Sequence, residues 1–133
     1  MSRTHKQIKY RFWVRQSNVM VHIRAIDFST KKVYASEHDG WHLSDGELLE
    51  FTGSYDQFGH ETYQDDLISF KVADKKMIER VWWNGDGWQV GDHQDMPLSN
   101  FIYAVVGNIY QTPQFVERKH LYAGINETRK NRR

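Results

Sequence analysis

Between residues 8 and 26 the side chains alternate in character with a period of two, and no other feature narrows the fold as much. Ile8, Tyr10, Phe12 and Val14 fall on one side of an extended chain, with Lys9, Arg11, Trp13 and Arg15 on the other. Successive side chains of a strand point to opposite faces, so this run predicts a strand with one apolar face. Gln16, Ser17 and Asn18 break the pattern, after which Val19, Val21, Ile23 and Ala25 alternate with Met20, His22, Arg24 and Ile26. Two strands so close in sequence predict an antiparallel hairpin.

The rest of the chain reads in the same way. Lys32 to Ala35 is a third short strand, and the polar stretch from Ser36 to Asp45 is a loop around Trp41. Glu47 to Thr52 fits strand or helix by itself; its β neighbours favour a strand, which Gly53 ends. Tyr63 and Leu67 to Val72 follow, with Ile68, Phe70 and Val72 as the inward set. Met77 to Trp83 and Trp88 to Gly91 predict a second hairpin across Asn84-Gly85-Asp86-Gly87, because Gly and Asn tolerate positive φ. Met96 to Gly107 is open to either reading, since Leu98, Phe101, Ile102 and Val105 fit a helical face and Ile102 to Val106 a buried strand. A short helical turn leading into a strand accommodates both. Thr112-Pro113 reads as the N-cap and first position of a brief helix through Phe115 and Val116. Strands at short spacing with turns between them predict a mainly β fold of antiparallel hairpins, barrel-like or sandwich-like, with one or two short helices.

A chain of 133 residues fits one domain, or two small β units sharing a core. The absence of cysteine excludes disulfides, thiolate zinc sites and nucleophilic thiols, and makes the cytoplasm the expected compartment. Five Trp and 14% aromatic residues argue for a folded body rather than disorder. Met1 to Arg11 is polar and basic, so neither a secretory signal nor a membrane span is expected there.

Charge is segregated along the chain. Residues 1 to 32 hold eight Lys/Arg and one acid, Asp27; residues 33 to 114 hold four against fourteen; residues 115 to 133 hold six against two. Such blocks are solvated surface, or else basic ends that meet an acidic face of another subunit or a nucleic acid.

Motifs for chemistry are incomplete. Asn84-Gly85-Asp86-Gly87 would put Trp88 at the fifth position of a calcium loop, where an oxygen ligand is needed. His38 and His42 lie four apart, but Asp39-Gly40 between them breaks any helix that could turn both to one zinc ion. Asp65 and Asp66, being adjacent, point to opposite faces of a strand, which does not suit a cooperating catalytic pair. No phosphate-cradling glycine loop or nucleophile elbow is present. No catalytic residue, metal ligand or cofactor is therefore expected. Trp82-Trp83 with Trp88 could stack bases, or could cover the core and an interface.

Several segments together resemble the YopX family of phage and prophage proteins. They are Ile8-Lys9-Tyr10-Arg11-Phe12-Trp13 with Met20, then Phe51-Thr52-Gly53, Asp56, Gly59, Glu61, Tyr63 and Asp66-Leu67-Ile68, and finally Val106-Gly107-Asn108-Ile109-Tyr110 with Pro113. They occur in order over roughly residues 8 to 116. The chain departs from the family at Phe58-Gly59, where Asn-Gly is usual, and at Asp65, where Gly is usual. A turn longer than two residues, with Gly59 left-handed, is therefore expected.

The resemblance implies a single domain over residues 1–125, with an N-terminal hairpin at about 8–35 and a small SH3-like barrel portion at about 47–111. A basic tail, 126–133, follows. It also implies an origin on a mobile genetic element. Gly53, Gly59, Tyr63, Asp66, Gly107, Asn108 and Tyr110 suit turns and core rather than reactivity.

The expected function is that of a non-enzymatic accessory protein that binds its own copies or a host or phage protein, with Trp41, Trp82, Trp83 and Trp88 as candidate contacts. The alternative is nucleic-acid binding through Arg3, Lys6, Lys9, Arg11, Arg15, Arg129, Lys130, Arg132 and Arg133. A small metal-dependent enzyme using His38, Asp39 and His42 is the third reading.

Overall fold

A computed structural model describes residues 9–92 and 96–115. In chain order its strands are β1 (Tyr10–Val14), β2 (Val19–Ile23), β3 (Ala25–Asp27), β4 (Lys32–Tyr34), β5 (Gly40–His42), β6 (Gly46–Tyr55), β7 (Glu61–Tyr63), β8 (Asp66–Val72), β9 (Lys75–Trp83), β10 (Trp88–Val90) and β11 (Ala104–Asn108). They form three antiparallel sheets, ordered β2-β1-β6-β7, β10-β9-β8-β11 and β3-β4-β5. Short 3-10 turns at Leu43–Asp45 and Leu98–Asn100 and one helical turn at 113–115 complete the described chain. The mainly β expectation holds.

The predicted hairpins are present. β1 and β2 pair with Phe12 opposite Val21, and the turn closes through Asn18 at φ 57°, a value that Asn tolerates. Across Asn84-Gly85-Asp86-Gly87 the Asn84 side-chain oxygen accepts the amides of Asp86 and Gly87, and Trp83 faces Trp88. The helical turn near Leu98 leads into β11, as the mixed pattern suggested.

Five expectations need correction. Trp41 lies in strand β5, opposite Val33 of β4, and not in a loop. Gly53 does not end its strand: at φ 86° it forms a bulge, and β6 runs on to Tyr55. The Thr52 hydroxyl steadies that bulge by donating to the Thr62 carbonyl and accepting the Ser54 amide. Val72 points to solvent, because β8 has by then outrun the core. Ile102 is 81% exposed. Finally, the Thr112 hydroxyl bonds the backbone of Asn108 instead of capping the helical turn that follows; Val116 lies outside the described residues.

The β2-β1-β6-β7 sheet is covered on both faces, which positions everything else. One face presents Phe12, Val14, Val21, Ile23 and Leu48 to Val33 and Trp41 of the β3-β4-β5 sheet. A second apolar cluster, Ile68, Phe70, Val81, Val90, Leu98 and Tyr103, lies within the β10-β9-β8-β11 sheet and the turn that packs on it. The other face of β1 carries Arg11 and Trp13, and it meets the start of β8 and the 108–111 turn. Among the described residues no helix is long and apolar enough to cross a membrane.

Candidate interaction surfaces and the junction between the sheets

The junction is polar and buried. Arg11 of β1 donates to Asp66, which is 1% exposed and also accepts the Tyr63 amide at 2.8 Å. The guanidinium lies over the Tyr63 ring, 4.5 Å from its centroid. Burial pushes the Asp66 carboxyl up to about 6, against the pull of Arg11. Lys9 and the Tyr63 hydroxyl both donate to Glu61, and the Lys9 hydrogen bond first of all holds Glu61 below its ordinary value. Burial, followed by the bond to Glu61, pushes the Tyr63 phenol up.

A second set of contacts ties the 108–111 turn to the same place. The Asn108 side-chain oxygen accepts the amides of Tyr110 and Gln111. Tyr110 then stacks on Trp13 at 4.7 Å and donates its hydroxyl to Asp65. Asp65 sits at φ 67° and also faces Arg80 at 3.3 Å. Nearby, the buried Asp56 accepts the amides of Phe58, His60 and Val105. Burial opposes its charge, but those amides outweigh it and hold the carboxyl below its ordinary value. Gly59 closes this turn at φ 86°, as Phe58 at the preceding position requires.

The signature residues sit in turns, in a bulge and in the junction. Gly53 makes the bulge, Gly59 the turn, and Tyr63, Asp66, Asn108 and Tyr110 the junction. Gly107 leaves room for Thr112, whose hydroxyl oxygen would lie 2.2 Å from an added Cβ.

The candidate tryptophans do not form one patch. Trp41 is half-buried, with its ring 6.4 Å from Phe12. Strand alternation puts Trp82 and Trp83 on opposite faces. Trp82 is half-buried with its indole N–H on the Gly91 carbonyl, whereas Trp83 is 49% exposed and meets the half-buried Trp88 edge-on. Of the candidate phosphate contacts, Lys9 and Arg11 are held in ion pairs within the chain; Arg15 is exposed, 3.6 Å from Glu47. Arg3, Lys6, Arg129, Lys130, Arg132 and Arg133 lie outside the described residues. His38 is exposed beside Glu37, and among the described residues no three His, Asp or Glu side chains gather as a metal site.

One surface was not foreseen. A groove of about 640 Å³ runs beside the end of β8, lined by Ser69, Phe70, Lys71, Lys76, Asn100 and Ile102 among others. Gln57 also lines it, and its amide donates to the Tyr103 carbonyl. The sequence neighbours of that bonded pair are Phe58, 69% exposed, and Ile102. The only sequence signal was an apolar residue in a run that reads as core.

No curated protein matches the chain at a significant level. A crystal structure of protein EF1440 from Enterococcus faecalis is similar to it, with a TM-score of 0.63 and 18% identity, covering 82% of this chain and 97% of that one. At that identity the likeness bears on the fold alone. The family model described as YopX protein matches residues 9–117, which take in β1, the Asp56 turn, the Arg11–Asp66 junction and the Asn108 turn. With so much of the chain matched, the chain belongs to the YopX family.

Proposed function

We propose that this protein acts by binding other proteins, its own copies included, as an accessory protein of phage or prophage origin, and that it performs no catalysis. One observation carries the reading: Phe58 and Ile102 stand exposed on two segments hydrogen-bonded to each other through Gln57 and Tyr103. Exposed large apolar side chains, here Ile102 lining the groove and Phe58 next to Gln57 of its rim, are how proteins present a contact surface. The carboxylates that could serve as acid or base support this view, since Asp56, Asp65 and Asp66 are occupied with backbone amides, Tyr110 and Arg11.

Cross-linking in the producing bacterium, compared between the wild type and a Phe58→Ser/Ile102→Ser variant, tests the reading. Cross-links from Lys71 or Lys76 to another chain should disappear in the variant. Light scattering on the eluting peak of a sizing column separates self-association from binding to a different protein. A monomer at high concentration whose cross-links are indifferent to the double substitution would overturn the proposal.

A further inference from the structure

β11 pairs with β8 from Asn108 opposite Asp66 only as far as Ala104 opposite Ser69. β8 continues for three residues, Phe70–Val72, which among the described residues pair with β9 alone. Phe70 and Lys71 point to opposite faces of the sheet, yet both line the groove. The groove therefore lies along the stretch of β8 that has no strand on its second side among the described residues. Its far wall is Asn100 to Ile102, where the chain has peeled away.

The charged residues that line this groove, among the described residues, are both lysines. Lys71 lies directly opposite Lys76, and Lys75 is opposite Val72. Like charges directly opposite each other in a sheet are unfavourable, and among the described residues no acidic residue lines the groove. An anionic occupant would relieve that repulsion.

We propose that this groove takes an extended, acidic segment of a partner protein, which adds a strand alongside Phe70–Val72. The inference rests on the binding reading above and names the partner's chemistry. Strand addition supplies main-chain hydrogen bonds for affinity, while side-chain contacts supply selectivity. Here Lys71 and Lys76 select acidic side chains, and Ile102 covers an aliphatic one. The chain's own ends do not fit, because Arg3, Lys6, Arg129, Lys130, Arg132 and Arg133 carry the same sign as the lysines. A nucleic acid fits less well, since Phe70 is buried and Phe101 half-buried against it at 4.6 Å, which leaves the aliphatic Ile102 as the most exposed apolar residue of the wall.

The test uses the full chain labelled with nitrogen-15 and a short peptide alternating glutamate with valine. The amides of Phe70, Lys71, Val72 and Ile102 should shift on titration, and methylating alternate peptide nitrogens should abolish the effect. Lys71→Glu/Lys76→Glu, at exposed positions, should keep a dispersed spectrum and weaken binding about tenfold or more. Three results would overturn the proposal: no shift at Phe70–Val72, an equal shift with a lysine–valine peptide or oligothymidylate, or the same shifts on concentrating the protein alone, which would make the occupant a second copy. If the peptide fails while Phe58→Ser/Ile102→Ser still removes cross-links, strand addition is wrong and the binding reading stands.

Discussion

The guanidinium of Arg11 on β1 is ion-paired with the carboxylate of Asp66, the first residue of β8, and joins two sheets whose apolar clusters are separate. A buried pair of this kind adds little net stability, because desolvation offsets attraction, but removing one partner strands the other. Arg11→Met should therefore destabilise the protein by roughly 3–5 kcal/mol in urea unfolding. Adding Asp66→Asn should recover much of that loss, and a double variant no more stable than the single would show that the two residues are not coupled.

The same burial sets a pH dependence. An Asp carboxyl titrates at about 3.9 in an unfolded chain, and folding raises Asp66 to about 6. The folded state binds that proton more tightly, so the stabilisation is complete below the unfolded value and is lost as pH rises through the folded one. Measured against Asp66→Asn, wild-type stability should fall by roughly 2–3 kcal/mol between about pH 4 and pH 7. Asp56 and Glu61 are held low and act in the opposite direction, losing their contribution as pH falls. The comparison with Asp66→Asn cancels them. A flat difference would mean that Asp66 titrates normally.

Asp65 occupies the left-handed region at φ 67°, where Gly would be relaxed. Relief of that strain is worth about 1 kcal/mol, whereas the charge-assisted bond from Tyr110 contributes about 1.5–3 kcal/mol and the contact with the half-exposed Arg80 about 0–1 kcal/mol. Asp65→Gly should therefore destabilise by about 1–3 kcal/mol and loosen the Trp13–Tyr110 stack, seen as a change in near-ultraviolet circular dichroism. A more stable glycine variant would show that strain outweighs these contacts.

What could be read from the sequence was local. Alternation from Tyr10 to Ile23 and the glycines between Trp83 and Trp88 report on neighbours a few residues away, and there the strands are where they were expected. Gly40-Trp41-His42 has no run of strand formers, and it becomes a strand through pairing with β4. Arg11 reads as a solvated cation until Asp66, far along the chain, is brought beneath it. The groove is written in neither strand alone, because it arises where β11 stops at Ala104 while β8 runs on. Ile102 followed an apolar pattern, yet it falls at the point where the chain has already left the sheet.

Gly46 is a further residue that sequence reasoning passed over, and it supports the sharpest stability test. It is extended, with φ −177°, so backbone strain does not require glycine there. The requirement is space: Gly46 lies opposite Val14, and an added Cβ would fall 1.7 Å from the Trp13 carbonyl oxygen and 2.9 Å from the Phe12 ring. A backbone atom inside a paired sheet cannot yield as a side-chain tip can, so β6 would have to separate from β1. Gly46→Ala should cost about 3 kcal/mol or more, at or beyond the upper end for overpacking. Gly53 is the control, since no heavy atom lies within 4 Å of its added Cβ and only its φ of 86° resists substitution. Gly53→Ala should cost about 1–2 kcal/mol. Thermal melts of the two variants should rank in that order, and equal melting temperatures would show that β1 and β6 are not packed as closely as this register demands.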